Sequence, residues 1–326
     1  MLFLATLSAT AFGQKANPAS PGTLNYIEGQ ASIEGRPLSS QSVGNTTLEA
    51  GQVLATANGK AEILLTPGIF LRLGDNSTVQ MVSPTLTHTE VKLEQGRANV
   101  EVDQIYSQNT VLIDLKNGQT QLLKNGLYAF DATNSTVRVV DGKAAVYPGA
   151  NLDAKVKPID VKGSHQLALN GEPLKPQHFN KDETKADPLY KWSSLRSQYL
   201  GEANLDLAEE YAGYSSFYPG WYWAGGPFGY TWLPGDGLFW NPFGYGFYSP
   251  YYIRGGGFIY GGYGRGFYGY RGGHPVGGFH GGTVRAENGG FHGSGEGFHG
   301  GGGGFHGGGG GGAFHGGVGG GGGGHR

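Results

Sequence analysis

Five histidines could do chemistry. His280, His292, His299, His306 and His315 each follow a phenylalanine in a glycine-dominated C-terminus, and His274 and His325 flank them. Imidazole is a common ligand for Zn, Ni and Cu. A defined metal site, however, needs a rigid set of ligands whose second ring nitrogens are held by hydrogen bonds. From His280 onward the histidines lie 12, 7, 7, 9 and 10 residues apart, spacings that place no two on one helix face or strand. Glycine supplies no scaffold and loses the most entropy on ordering. Weak, adaptable binding of Zn, Ni or Cu is the most this pattern supports. Phenylalanines separated by glycine also read as sticky points on a spacer. The expectation is a disordered, self-associating tail over residues 254–326, cationic near pH 5 and close to neutral near pH 7.5.

A second group is aromatic. Trp221, Trp223, Trp232, Trp240 and Tyr245 fall within forty residues rich in Pro, Gly, Phe and Tyr. Two readings stand. They pack as a small core, because an isolated hairpin is marginal without one. Or they stand exposed and stack on sugar rings or anchor a protein partner. Pro227-Phe-Gly-Tyr-Thr-Trp232 is echoed by Pro242-Phe-Gly-Tyr-Gly-Phe247, which predicts two related hairpins within residues 214–253.

Catalytic patterns are missing. The chain has no cysteine, which excludes disulfides, thiolate metal sites and a Cys nucleophile. G-x-S-x-G, H-E-x-x-H and P-loop patterns do not occur. His88, His165 and His178 stand alone in loops or at strand ends, and Asp75 and Asp103 read as turn or strand-end residues. No catalytic residue and no cofactor site is expected, so the chain reads as non-enzymatic. The Arg/Gly/aromatic run Tyr263–Gly273 resembles RNA-binding segments. A net charge of −2 and only Arg254, Arg265 and Arg271 nearby argue against nucleic acid.

The elements that position these residues follow from periodicity. Leu2–Phe12 is an apolar run followed by small residues, which predicts a secretory signal over residues 1–13, although no Lys or Arg precedes it. No stretch of 18 apolar residues predicts a membrane span. Of 64 glycines, 47 lie in residues 213–326, so the core must form earlier. Over residues 22–147 apolar residues alternate: Ile63/Leu65, Ile69/Leu71/Leu73, Val91/Leu93, Ala98/Val100/Val102, Val111/Ile113/Leu115 and Val137/Val139. Period two means strands with one dry and one wet face. Glu62, Thr66, Phe70 and Arg72 fall on the wet face. Asn58-Gly59, Pro67-Gly68, Gly74-Asp75-Asn76, Asn117-Gly118, Asn125-Gly126 and Asp141-Gly142 read as turns. The fold class is all-β, a β-sandwich or a rolled β-solenoid. Residues 148–186 read as a linker or edge strands with a charged hinge. Asp187-Pro188 starts a helix over 187–213, with an apolar stripe of Leu189, Trp192, Leu195, Tyr199, Ala203 and Leu207. Gly201 marks a bend or a close contact.

LEAGQVLATANGKAEILLTPGIFLRLGDNSTVQM (Leu48–Met81), with KLEQGRANVEV and VRVVDGKAAV further on, resembles the FecR domain of bacterial envelope proteins. The resemblance implies a β-domain outside the cytoplasm, with no catalytic residues to carry over. FecR proper also has an anti-sigma segment and a membrane span, which this sequence does not show. The combined expectation is an exported, periplasmic or surface protein that binds or scaffolds, with an envelope protein or cell-wall polysaccharide as partner. Metal binding by the tail, polysaccharide binding and a part in transmembrane signalling are the alternatives.

Overall fold

The computed structural model describes residues 18–256, apart from 150, 153 and 155. The leader expected over 1–13 and the histidines from His274 onward therefore lie outside the described residues. The first strands are β1 (Leu24–Ile33), β2 (Arg36–Pro37), β3 (Val53–Leu64), β4 (Ile69–Leu73), β5 (Thr78–Pro84), β6 (His88–Gln95), β7 (Arg97–Val102), β8 (Thr110–Leu115) and β9 (Gly118–Leu122). They continue with β10 (Gly126–Asp131), β11 (Thr136–Val139), β12 (Lys143–Pro148), β13 (Ile159–Lys162), β14 (His165–Ala168) and β15 (Gln177–His178). One hydrogen-bonded path joins them in the order β13-β12-β9-β8-β6-β5-β3-β4-β7-β10-β11-β14-β15, with β1 along β3 and β2 on β1. Among the described residues only β6 and β8 pair in parallel.

The path folds over on itself. At its start β3 pairs with β5 (Val53↔Gln80), and at its end with β4 (Leu64↔Phe70). It therefore passes from one half of the sheet to the other. The run β11–β12 and its partners β14 and β13 do the same. Val79, Val91, Ile113, Leu122 and Val146 from one half share a buried cluster with Leu71, Val100, Tyr128, Val137 and Leu167 from the other. This is the sandwich alternative: two halves of one bent sheet over one core, with ends that do not close into a barrel.

The crossing point corrects one turn. Asn58-Gly59 lies inside β3, opposite Gly29 of β1. A Cβ on Gly29 would sit 2.3 Å from the Asn58 carbonyl oxygen, and Gly29 holds φ at 70°. The glycines let two backbones cross closely while the ribbon bends, which is a bulge's work and not a hairpin's. Gly29→Ala is expected to cost at least about 2 kcal/mol, from left-handed backbone strain plus the clash. A chemical denaturation midpoint equal to that of the parent protein would contradict this role.

After the sheet come α1 (Lys181–Ala186) and α2 (Pro188–Ala212). The charged hinge is thus a short helix, capped by the Asn180 side chain. Asp187 caps α2 by accepting from the backbone N–H groups of Leu189 and Tyr190, with Pro188 in the first turn. Two hairpins follow, β16 (Gly220–Trp223) with β17 (Tyr230–Leu233), and β18 (Leu238–Trp240) with β19 (Gly246–Tyr248). The echoed Pro-Phe-Gly motifs form their turns. The described part ends on α3 (Pro250–Arg254). Among the described residues no helix is long and apolar enough to cross a membrane.

Candidate functional site

Glu62 of β3 and Arg72 of β4 are directly paired across the two strands, and Phe70 pairs with Glu101 of β7. Alternation puts Glu62, Phe70, Arg72 and Glu101 on the face away from the sandwich core. That face is not wet: Glu62, Phe70, Arg72 and Glu101 are all fully buried. The correction has a simple cause. Helix α2 and both hairpins lie over this half of the sheet and form a third layer. Phe70 joins Leu64, Leu200, Tyr230, Trp232 and Phe247 in a second apolar cluster.

The buried charges form one network. Arg72 donates from Nε to Glu62 at 2.6 Å and from Nη1 to Glu101. From α2, Arg196 donates to Glu62 at 2.9 Å and to the Phe228 carbonyl at 2.8 Å, and its guanidinium lies 4.0 Å over the Tyr26 ring. Ser197 donates to Glu101. Asn25 donates to Glu62 at 2.8 Å, and Asn241 donates to Glu101 at 2.8 Å. Two carboxylates and two guanidiniums balance. Each part of the molecule supplies a member: Asn25 the sheet edge, Glu62, Arg72 and Glu101 the sheet, Arg196 and Ser197 the helix, Asn241 the second hairpin. Burial disfavours the Glu62 charge, but Arg196 and Arg72 outweigh it and hold its pKa at about 2. Burial also opposes the Arg72 charge, and Glu101 and Glu62 overcome it and raise its pKa.

Three asparagines bond main-chain groups of the two hairpins. Asn25 accepts from Tyr230 N–H at 2.6 Å and donates to its carbonyl at 3.0 Å. Asn204 of α2 accepts from Tyr248 N–H at 2.7 Å and donates to the Trp232 carbonyl at 2.8 Å. Asn241 accepts from Phe243 and Tyr245 N–H groups at 3.0 and 2.9 Å. Buried backbone groups need partners, and these side chains supply some of them.

The helix face differs from its apolar stripe. Leu189, Trp192 and Ala203 are buried as expected, but so are Ser193, Arg196, Ser197 and Asn204. Leu195 and Tyr199 are exposed. Complementarity to the buried carboxylates, together with buried Leu200 and Ala208, sets the rotation of α2. Gly201 marks a close contact: a Cβ there would lie 3.3 Å from the Gly246 carbonyl oxygen of the second hairpin.

Asp103, at the end of β7 as the sequence predicts, also lies beside this network. Burial lifts its carboxyl well above the usual carboxylate range, and the neighbouring Glu101 charge pushes the same way. The folded protein therefore keeps a proton that the unfolded chain releases above about pH 4. Stability from this group is greatest in acid and falls as pH rises past that point. Asp103→Asn keeps a donor beside Glu101 without the proton cost. It is expected to raise stability at pH 7 by about 1 kcal/mol, within the range of single stabilising substitutions. The gain should shrink at pH 3, which denaturant melts at the two pH values would show.

The aromatic candidates do not share one face. Trp232 is buried and offers no surface. Trp221 packs edge-on against Phe70, and Trp223 edge-on against Tyr230, each with ring centres 5.0 Å apart. Tyr245 is half-buried between the second hairpin and α2. Trp240 is 55% exposed, and Tyr218 is 84% exposed. The histidines also regroup. His165 and His178 are paired across β14 and β15 with ring centres 5.6 Å apart, and His88 contacts Glu90 at 3.1 Å. Among the described residues no cluster of three or more His, Asp or Glu could hold a metal ion. The candidate metal ligands His280, His292, His299, His306 and His315 lie outside the described residues.

A mostly β sandwich whose outer face is sealed by one long helix is the class of domain in hand. Residues 51–151 match the family model described as FecR protein, so the chain carries a FecR domain. Two solved structures of a candidate anti-sigma factor from Parabacteroides distasonis are similar to it. One is 13% identical, with a TM-score of 0.34, over 41% of this chain and 62% of that one. The other is 12% identical, with a TM-score of 0.33, over 40% and 61%. The match thus spans less than two thirds of those chains. No curated protein matches the sequence.

Proposed function

We propose that this protein is an exported, non-enzymatic scaffold of the bacterial envelope, in which FecR domain, helix and hairpins act as one rigid binding body. The observation that carries the reading is the sealing of Glu62, Arg72 and Glu101 under Arg196 and Asn241. Groups with the charge to do chemistry are spent on joining layers, in a place substrate cannot enter. What the body offers outward is aromatic: Trp240, Tyr218, Tyr214 and Tyr251 stand exposed. Such side chains anchor an envelope protein or stack on cell-wall polysaccharide. The FecR match favours a signalling-related role for that partnership.

Export rests on the leader-like residues 1–13, and cell fractionation tests it. Recovery outside the cytoplasm, with mass spectrometry placing the mature N-terminus near residue 14, is expected. Recovery from the cytosol with Met1 intact would overturn the envelope reading. A shift in tryptophan fluorescence on adding cell-wall glycan, lost in Trp240→Ala, would identify polysaccharide as the partner.

A further inference from the structure

Of the three histidines among the described residues, two meet. His165 and His178 stand directly opposite each other across β14 and β15, a register that holds Cβ atoms about 4.5–5.5 Å apart. Their ring centres are 5.6 Å apart. Two imidazoles bound to one ion through bonds of about 2.0–2.1 Å also place their ring centres about 5 Å apart. The strands therefore already supply the spacing that chelation requires. On its other side His165 pairs with Val139, and Leu167 lies two residues on, both in the sandwich core. His165 is half-buried and His178 is exposed. The pair thus sits at the rim of the core, with one ring held and the other open to solvent. The held ring also has a fixed tautomer. His165 Nδ1 lies 2.9 Å from the Gly163 carbonyl oxygen. A carbonyl only accepts, so Nδ1 carries the proton and Nε2 of the neutral ring keeps its lone pair. A backbone carbonyl on the second nitrogen is the support that orients metal-binding histidines and raises their basicity. The exposed His178 ring can turn among its rotamers to bring a nitrogen to the same ion.

We infer that His165 and His178 form a two-histidine site for a divalent late transition-metal ion, with water completing its coordination. Imidazole nitrogen selects Zn, Ni or Cu, whereas Mg and Ca take oxygen ligands. A bound ion ties β15 to β14. That matters because β15 is only two residues long and lies at the end of the sheet's path. It leads directly into Phe179, which is buried, and into Asn180, which caps α1. The ion therefore fastens the sheet edge from which the chain leaves for the helical layer. The site needs neither the C-terminal histidines nor export.

Diethyl pyrocarbonate tests it, because the reagent acylates the imidazole lone pair that a metal occupies. The purified full-length chain is titrated with Zn, its free level set by a metal buffer, and each histidine is read on its own peptide by mass spectrometry. His88, which faces Glu90 and no second imidazole, is the internal reference. At ten times the dissociation constant His165 and His178 are expected to react roughly tenfold more slowly, with one shared midpoint. Mg in place of Zn should leave both rates unchanged. His178→Asn alters an exposed position on a two-residue edge strand and should remove the protection of His165 by Zn. The shared midpoint in the parent chain is read without that variant. Rates unchanged by millimolar Zn, separate midpoints for the two residues, or protection of His165 that survives in His178→Asn would each overturn the proposal. Protection that fades on dilution at fixed free Zn would also overturn it, because the ligands would then come from two chains.

Discussion

Replacing Arg72 with methionine is expected to destabilise the protein by about 3–5 kcal/mol, the cost of breaking a buried ion pair from one side. Glu62 and Glu101 would then lie buried, with only Arg196 left to balance them. Domains are stable by only about 5–15 kcal/mol, so the variant should be largely unfolded near its lowered melting temperature or fail to accumulate. The fourfold change Glu62→Gln, Arg72→Met, Glu101→Gln, Arg196→Met removes both charges of each sign and should recover much of the loss. The same network fixes the acid limb of the stability curve. Glu62 has a folded pKa near 2, below its value in the unfolded chain. Its contribution is complete above about pH 4.5 and drains away as pH falls towards 2. That contribution is about 3 kcal/mol, from the size of the shift. Denaturant melts from pH 7 down to pH 2 should show the drop in the parent protein and not in the fourfold variant. A parent curve that is flat across this window would remove the network from any account of stability.

Trp232→Ala should cost a similar amount by a different mechanism. Among the described residues Trp232 is the largest fully buried side chain. Its ring meets Phe239 and Phe247 at 5.1 and 5.8 Å. Truncation removes most of a large apolar surface and leaves a cavity between the sheet and both hairpins, for about 3–5 kcal/mol. Because Asn204 ties the Trp232 and Tyr248 carbonyls to α2, the helix and hairpins should loosen together. Protease cleavage near residues 213–220, between α2 and β16, should accelerate in the variant before the sandwich is cut. If sheet and cap instead melt in separate transitions in the parent protein, with different probes giving different midpoints, the rigid-body reading fails. Trp240→Ala is the contrast, since that ring is more than half exposed and should cost little.

Local chemistry made much of this fold legible. The alternation of Val100/Val102 and Val137/Val139 marked strands, because a side-chain period of two is a backbone property. Asp187-Pro188 marked a helix start, because capping involves only the next few residues. The echo at Pro227 and Pro242 marked paired hairpins. The buried network was not legible in the same way. Glu62 and Arg72 look like solvent-facing residues to any rule that reads one strand at a time. The available hint was Leu64 and Phe70 on that same face, apolar side chains that a wet face has no need of. Arg196 and Ser197 likewise look like the polar side of an amphipathic helix.

By itself, then, the amino-acid order determined the strand and helix content, the hairpins, the FecR resemblance and the leader-like start. All of these depend on residues close along the chain. Only the tertiary structure decided that the sheet is a sandwich, that a third layer covers one face, and that charges more than a hundred residues apart share one dry site. Burial is a property of what lies on top of a residue, and what covers Glu62 is a helix and a hairpin encoded far away.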